Sequence, residues 1–416
     1  MSNGLDPKRT VTELKELRNF TGDVNGAQRV AFTPKWVETR AWLQKKLEAL
    51  PAEVHTDAAG NLWATLLGGS ERALLLGGHT DSVPNGGWLD GCLNVLAALE
   101  VLRRINAQYK GKPPVTVRLV DWADEEGARF GKSLFGSSAC SGNLNMDEAR
   151  GLKDKHGIRL PAALKEVGID FERVKESGQE LKNAAAYLEL HIEQGPVLLD
   201  LDLPLGAVLG TFGVERHAIN FQGQAAHSGS TPMNRRKDAF LAAAKMSPEI
   251  YRIAERSHGG VCTIGSCATK PGIVTSVVAE CAITLDQRHL DAAALARMLQ
   301  EAKDASERFA KEGSVRVAWE RLWQIEPVVF NADLVQMCSE AITETCAKIH
   351  RLPSGPLHDA AEVARAGVPT VMMFVQSLQG ISHNKIEDTK EEHLEMSVQA
   401  FDRLAEKAMG FVMREA

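Results

Sequence analysis

The feature that most constrains this chain is a buried strand that runs straight into acid. Residues 115–120, Val-Thr-Val-Arg-Leu-Val, alternate and are mostly apolar, the pattern of a strand inside a sheet. Asp121-Trp-Ala-Asp-Glu-Glu-Gly127 follows, with four carboxylates in six residues. A strand tip carrying that much negative charge is costly unless something positive sits against it. Glu125 and Glu126 are adjacent and can divide the work, one ligating a metal while the other handles a proton. Taken alone, the segment reads equally well as a solvated acidic loop. The other strand ends decide between the two.

Three more apolar runs end in metal-binding side chains. Residues 72–77 lead into Gly78-His79-Thr-Asp81-Ser-Val-Pro-Asn-Gly-Gly-Trp88-Leu-Asp90-Gly91, a polar, glycine-rich turn before an apolar helix from about 92 to 105. Residues 185–191 end in His191-Ile-Glu-Gln194-Gly. Residues 370–375 lead to Gln376-Ser-Leu-Gln-Gly-Ile-Ser-His383-Asn384. Strands alternating with helices predict an α/β layer with helices on both faces of a mixed sheet. In such sheets the active groups gather outside the carboxyl ends of the strands. His79, Asp90, Glu126, His191 and His383 are therefore expected together. Imidazole and carboxylate donors suit zinc and its first-row neighbours. Five ligands exceed what one catalytic ion takes and suit two divalent ions sharing a carboxylate. Glu125, beside a ligand without being one, is placed to move a proton. The chain has 12 histidines, so any one of them is easily structural. A convergence from four loops is harder to dismiss.

The length of 416 residues predicts two domains. The pattern changes near Gly210. An α+β unit over 212–328, with helices near 235–257 and 291–312 and a long strand over 273–289, reads as an insertion. The catalytic domain is then discontinuous, 1–211 and 329–416, and a helix from about 391 to 412 closes it. Residues 143–183 read as a charged surface excursion. Thr33-Pro34 reads as a helix start, Thr as the cap, with Trp36, Leu43, Leu47 and Leu50 on its buried face. A net charge of -6 without a basic run argues against nucleic acid, and no apolar run is long enough for a membrane span. The first residues show no apolar signal core. Seven scattered cysteines predict reduced thiols and a cytoplasmic protein.

These motifs resemble those of the M20 metallopeptidase family. They are most similar to its amidase branch of N-carbamoyl-L-amino-acid hydrolases, allantoate amidohydrolases and β-ureidopropionase-like enzymes. The resemblance is carried by His79-x-Asp81 with Asp90-Gly91, by Glu125-Glu-Gly-x-Arg-Phe130, by Gly223-Gln-Ala-Ala-His227-Ser-Gly-Ser-Thr-Pro-Met233 and by Gly380-Ile-Ser-His-Asn384. It implies two divalent ions (Zn, Mn, Co or Ni). His79 and Asp90 would hold one ion, with His191 or Glu126 completing the set. Asp90 would bridge, and His383 would hold the second ion. It implies Glu125 as the base, with Asp81 orienting His79. It implies that the inserted unit is a lid carrying a homodimer contact. His227 would reach the scissile carbonyl, Arg288 would hold a substrate carboxylate, and Gln194 and Arg216 would be further substrate contacts.

Four positions depart from the branch. Trp88 stands where arginine is common, Thr275 where an asparagine meets substrate, Pro356-Leu357 where a small pair precedes His358-Asp359, and Gln376 where proline is usual. The resemblance thus implies a hydrolase cleaving the C–N bond of an N-carbamoyl or related N-acyl amino acid, with an altered substrate-facing set. Trp88 is a candidate apolar wall for a large substrate group. A dipeptidase or aminoacylase of the wider family is the alternative. A catalytically inactive metal-binding regulator is the more distant one, against which Glu125 stands.

Overall fold

A computed structural model describes residues 4–414. The chain up to Leu209 and from Phe330 onward forms one compact unit, and Gly210–Val329 forms a second.

In the first unit the apolar runs assemble into a mixed sheet. Seven of its nine strands lie in the order Leu205–Thr211, Thr370–Val375, Ala184–Ile192, Ala73–His79, Thr116–Trp122, Leu62–Leu66 and Glu53–Thr56, and the short strands Val328–Val329 and Arg351–Ser354 pair with the first of these. The four from Thr370–Val375 to Thr116–Trp122 run parallel, and the outer ones join antiparallel. Every residue of Ala73–His79 and of Thr370–Val375 is buried. Strands covered on both faces read as continuous apolar runs, which is why these two stand out in the sequence. Helix Cys92–Tyr109 covers one part of the sheet and is buried nearly all round over its first four turns. It packs against Pro7–Thr21 and the closing helix Glu391–Arg414. Parallel strands point the same way, so the four carboxyl ends after His79, Trp122, Ile192 and Val375 share one edge.

Three expectations need correction. Residues 143–183 are not a surface excursion. Leu144, Ala149, Leu160, Leu164, Phe171 and Val174 are buried with Phe32, Trp36 and Phe135 in a second core. The apolar positions in that stretch are spaced by short helical turns, which hides their common side. Helix Pro34–Leu47 does start after Thr33, but the Thr33 hydroxyl donates to the Val30 carbonyl (2.6 Å) and caps nothing. The strand expected over 273–289 splits: Ser276–Val277 pairs with Ala226–His227, and only Glu280–His289 enters the larger sheet.

The second unit is an antiparallel sheet in the order Val261–Lys270, Glu280–His289, Gly213–Gln222, Arg316–Ile325. Helices Ala239–Arg256 and Ala292–Glu312 bury Met246, Ile250, Met298 and Ala302 against Ile219, Phe221, Ile283 and Leu285 of the sheet. All seven cysteines are unpaired. Among the described residues no helix is long and apolar enough to cross a membrane.

Candidate active site

The acids at and after the end of Thr116–Trp122 have separate fates. Asp121 stays structural. It accepts from the backbone and hydroxyl of Thr80 (2.8 and 3.0 Å) and pairs with buried Arg40 at 3.0 Å. Glu125 and Glu126 turn toward the strand edge. Their backbone N–H groups donate to the two oxygens of Asp81, each at 3.2 Å. Asp81 also faces His79: its Oδ1 is 3.5 Å and its carbonyl 3.2 Å from His79 Nδ1. One buried carboxylate thereby fixes the His79 ring and both glutamates.

Asp90 sits at the centre. Its Oδ1 is 3.1 Å from His191 Nε2 and 3.6 Å from His79 Nε2. Its Oδ2 is 3.4 Å from His383 Nε2, and that nitrogen is 3.2 Å from Glu126 Oε2. Two sets of three donors result, His79/Asp90/His191 and Asp90/Glu126/His383, with Asp90 common to both. The alternative left open in the sequence thus falls to His191 beside His79, and Glu126 beside His383. Gly91 makes this possible. Its φ is +66°, and a Cβ there would lie 2.4 Å from the His79 ring.

The tautomers favour cations at these points. His191 Nδ1 lies 2.8 Å from the Ile192 carbonyl, and His79 Nδ1 faces the Asp81 carbonyl. Each Nδ1 therefore carries the proton and leaves an Nε2 lone pair toward a carboxylate, an arrangement that repels unless a cation or proton stands between. His79 Nε2 is buried without a hydrogen-bond partner. The donor set and this orphaned atom fit divalent metal binding.

By the protein's own charges, burial works against an ionised Asp90, but His191, His383 and His79 outweigh it and hold its pKa well below the ordinary value. Asp90 raises His383 to about 9, aided by Glu126. Burial, then Asp90, pushes Glu126 up to about 7. Glu125 is in neither triad; its Oε2 is 3.8 Å from His79 Nε2. Burial raises its pKa well above the usual range. His79 opposes this, and Asp359, Glu126 and Asp90 add to it.

The remaining candidates belong to neither triad. Gln194 is near the metal residues, but its Nε2 donates to Asp90 Oδ2 (2.9 Å) and Ser382 Oγ (3.1 Å), so it is held as part of the frame. Trp88 is 6% exposed, its Nε1 on Asp388 (3.3 Å) and the Arg18 guanidinium 5.3 Å from its ring. Its indole contributes to the wall of a cavity that none of the metal-cluster residues lines. Gln376 is buried and ties the Leu198 and Leu203 carbonyls. In the second unit, Arg216 and Arg288 both bind Asp286, at 2.6 and 2.8 Å. His227 and Thr275 are exposed. His227 Nδ1 accepts from the N–H groups of Gly229 and Ser230.

Sequence reasoning missed three supports. Glu387 accepts from the backbone of Leu89 and Asp90 (3.2 and 3.1 Å) and from Ser382 Oγ (2.7 Å). Ser382 also reaches Asp90 Oδ2 at 3.1 Å. Gly87 is required beside them, since a Cβ would sit 1.9 Å from Glu387 Oε1. His358, its ring 4.4 Å from that of His191, hydrogen-bonds Ser354 Oγ at 2.9 Å. The Ser-His-Asn sequence was the one signal pointing at Ser382, and the His358-Asp359 pair of the resemblance was the one for His358; Glu387 acts across a long sequence gap and left none.

Comparison with known proteins gives this geometry a family. The signature of peptidase family M20/M25/M40 matches residues 75–407, and the chain belongs to that family. It is 35% identical over 370 residues to an N-carbamoyl-L-amino acid amidohydrolase of Geobacillus stearothermophilus, covering 88% of this chain and 90% of the relative. An allantoate amidohydrolase of Escherichia coli is 32% identical over 377 residues, covering 90% and 91%. The crystal structure of an amidase of the hydantoinase/carbamoylase family from Burkholderia multivorans matches with a TM-score of 0.87 at 30% identity, covering 97% of this chain and 98% of that one. These relatives place the chain in the hydantoinase/carbamoylase amidase branch, and it is a hydrolase.

Proposed function

We propose that this protein is a binuclear-metal amidohydrolase that cleaves the C–N bond of an N-carbamoyl (ureido) or related N-acyl amino acid with a free carboxylate. The observation that carries the reading is Asp90, one carboxylate whose two oxygens face two separate donor sets. His79 and His191 with Asp90 Oδ1 would hold one divalent ion, of the Zn, Mn, Co or Ni kind, and Glu126 and His383 with Asp90 Oδ2 the other. Such ions supply Lewis acidity and lower the pKa of water. Glu125 stands beside the ligands with a carboxyl whose affinity for protons is raised by burial. It takes a proton from the attacking water and returns it to the departing nitrogen. Asp81 holds the His79 ring and the backbone of both glutamates, so the base and the ligand keep a fixed relation. In the carbamoyl case the products are the amino acid, ammonia and carbon dioxide.

The same reading gives Gly210–Val329 the role of lid and homodimer contact. Arg288 would grip the substrate carboxylate, with Arg216 beside it, His227 would reach the scissile carbonyl, and Thr275 would offer one hydroxyl to the substrate. Closure of the two units on substrate would follow. Support for the dimer comes from Val261–Lys270, an edge strand paired on one side and exposed along most of its length. Such an edge readily takes a second copy. Seven unpaired thiols favour the cytoplasm.

The test is a panel of N-carbamoyl, N-formyl and N-acetyl amino acids and dipeptides, assayed with Mn, Co, Ni and Zn. Turnover of ureido or acyl amino acids above dipeptides is expected. A preference for dipeptides would move the chain to the alternative peptidase reading.

A further inference from the structure

Outside the metal cluster, a cavity of about 230 Å³ lies between helix Pro7–Thr21 with the hairpin after it and the turn leading to Asp90. Arg18, Asp23, Arg29, Gly86, Trp88 and Lys385 contribute to its wall. Arg29 is the unusual member, being fully buried. Its Nε donates to the Thr80 carbonyl at 2.8 Å and its Nη1 reaches Thr21 Oγ1 at 3.4 Å, but its Nη2 has no partner. Among the described residues no carboxylate stands within ion-pair range of Arg29, Arg18 or Lys385. The nearby Asp121 is already taken by Arg40 and Thr80. A guanidinium cannot shed its charge on burial, so an unpaired one in a cavity wall is costly until an anion meets it. The single acid in the wall, Asp23, is exposed and bonded to Asn25 N–H and Gln28 Nε2. Arg18 lies over the indole of Trp88, so the cavity combines three cations with one flat apolar side.

We propose that this cavity binds a small, doubly charged oxyanion of the phosphate class, apart from the reacting atoms. Guanidinium forks and an ammonium are the recognition chemistry for such a group. Its position couples it to the metal cluster. Gly86 and Trp88 belong to the turn ending in Asp90, Lys385 follows His383 by two residues, and Arg29 holds the carbonyl next to His79. An anion spanning Arg18, Arg29 and Lys385 ties the Asp90 turn to the His383 turn and to the N-terminal helix, without using any proposed metal ligand.

The experiment titrates inorganic phosphate into the full-length protein, as purified and after chelation, by calorimetry and tryptophan emission. Saturable binding that survives chelation is expected, weakened at least about a hundredfold in Arg18→Ala/Lys385→Ala, since each lost charged contact is worth about one decade or more. Both positions are exposed, so the double variant folds. Trp88→Phe should keep phosphate binding while reducing the emission change. Sulfate should compete, and acetate at equal concentration should not. The proposal is overturned if affinity is equal in the double variant, if binding disappears with the metals, if acetate competes equally, or if no saturable binding occurs. None of these readouts needs turnover, so they stand apart from the amidohydrolase assignment.

Discussion

The two units carry their candidate residues in opposite ways. In the first, His79, Asp81, Asp90 and His191 are all under 4% exposed, and backbone carbonyls and neighbouring carboxylates fix each ring. In the second, His227 and Thr275 are exposed, and Arg216 and Arg288 share Asp286 as a common partner. The first is a prearranged centre whose geometry stands without substrate. The second is a set of more exposed groups, its two guanidinium charges paired with one acid of the same unit, and under the proposed function these groups would await a ligand. The difference predicts that changes in the first unit strike metal content and turnover, while changes in the second strike recognition.

The largest effect is expected from Asp90→Ala, which removes the donor common to both triads. Elemental analysis should find both ions lost and turnover abolished. Retention of a single stoichiometric ion would mean the two donor sets are independent. Glu125→Gln comes next. It keeps the shape, removes the base, and should lower kcat by about two to four orders of magnitude with metal content unchanged. Metal loss in that variant would make Glu125 a ligand.

Arg288→Lys probes the other side of the comparison. A charge-assisted fork contributes about 1.5–3 kcal/mol, so kcat/KM for acids should fall by about one to two decades while the corresponding amides change little. An ammonium cannot present the same planar pair of donors. If wild type does not favour acids over amides, the carboxylate anchor is elsewhere, and the contact of Arg288 with Asp286 is structural. An effect of similar size, on metal affinity and not on recognition, is expected from Asp81→Asn, which leaves a neutral group facing His79 Nδ1. Metal affinity should weaken by about ten- to a hundredfold, read by competition with a chelator.

The same contrast explains what the sequence made legible. His79, His191 and His383 could be read because the first two end apolar strands and the third follows one, and parallel strands must deliver their ends to one edge. Fold class followed from the same runs. Glu387 could not be read, because its partners Leu89 and Asp90 lie almost three hundred residues away and are met through backbone N–H groups that leave no mark on composition. The contacts of Trp88 were hidden for a related reason. An aromatic beside a metal turn looks like a pocket wall, and only the fold reveals that Arg18 lies over its ring and that Asp388 accepts from its Nε1. Residues 143–183 hid their core because several short turns, each too brief for a periodic signal, share one buried face.

The most direct test of the account follows metal content and turnover of an N-carbamoyl amino acid together during stepwise chelation. The His383 side chain is 53% exposed and that of His191 1%, so the ion at Glu126 and His383 should leave first. The account predicts two ions per chain, lost in two steps, with turnover gone after the first step and restored by added divalent metal. Full turnover in metal-stripped protein, or a single ion lost in a single step, would contradict it.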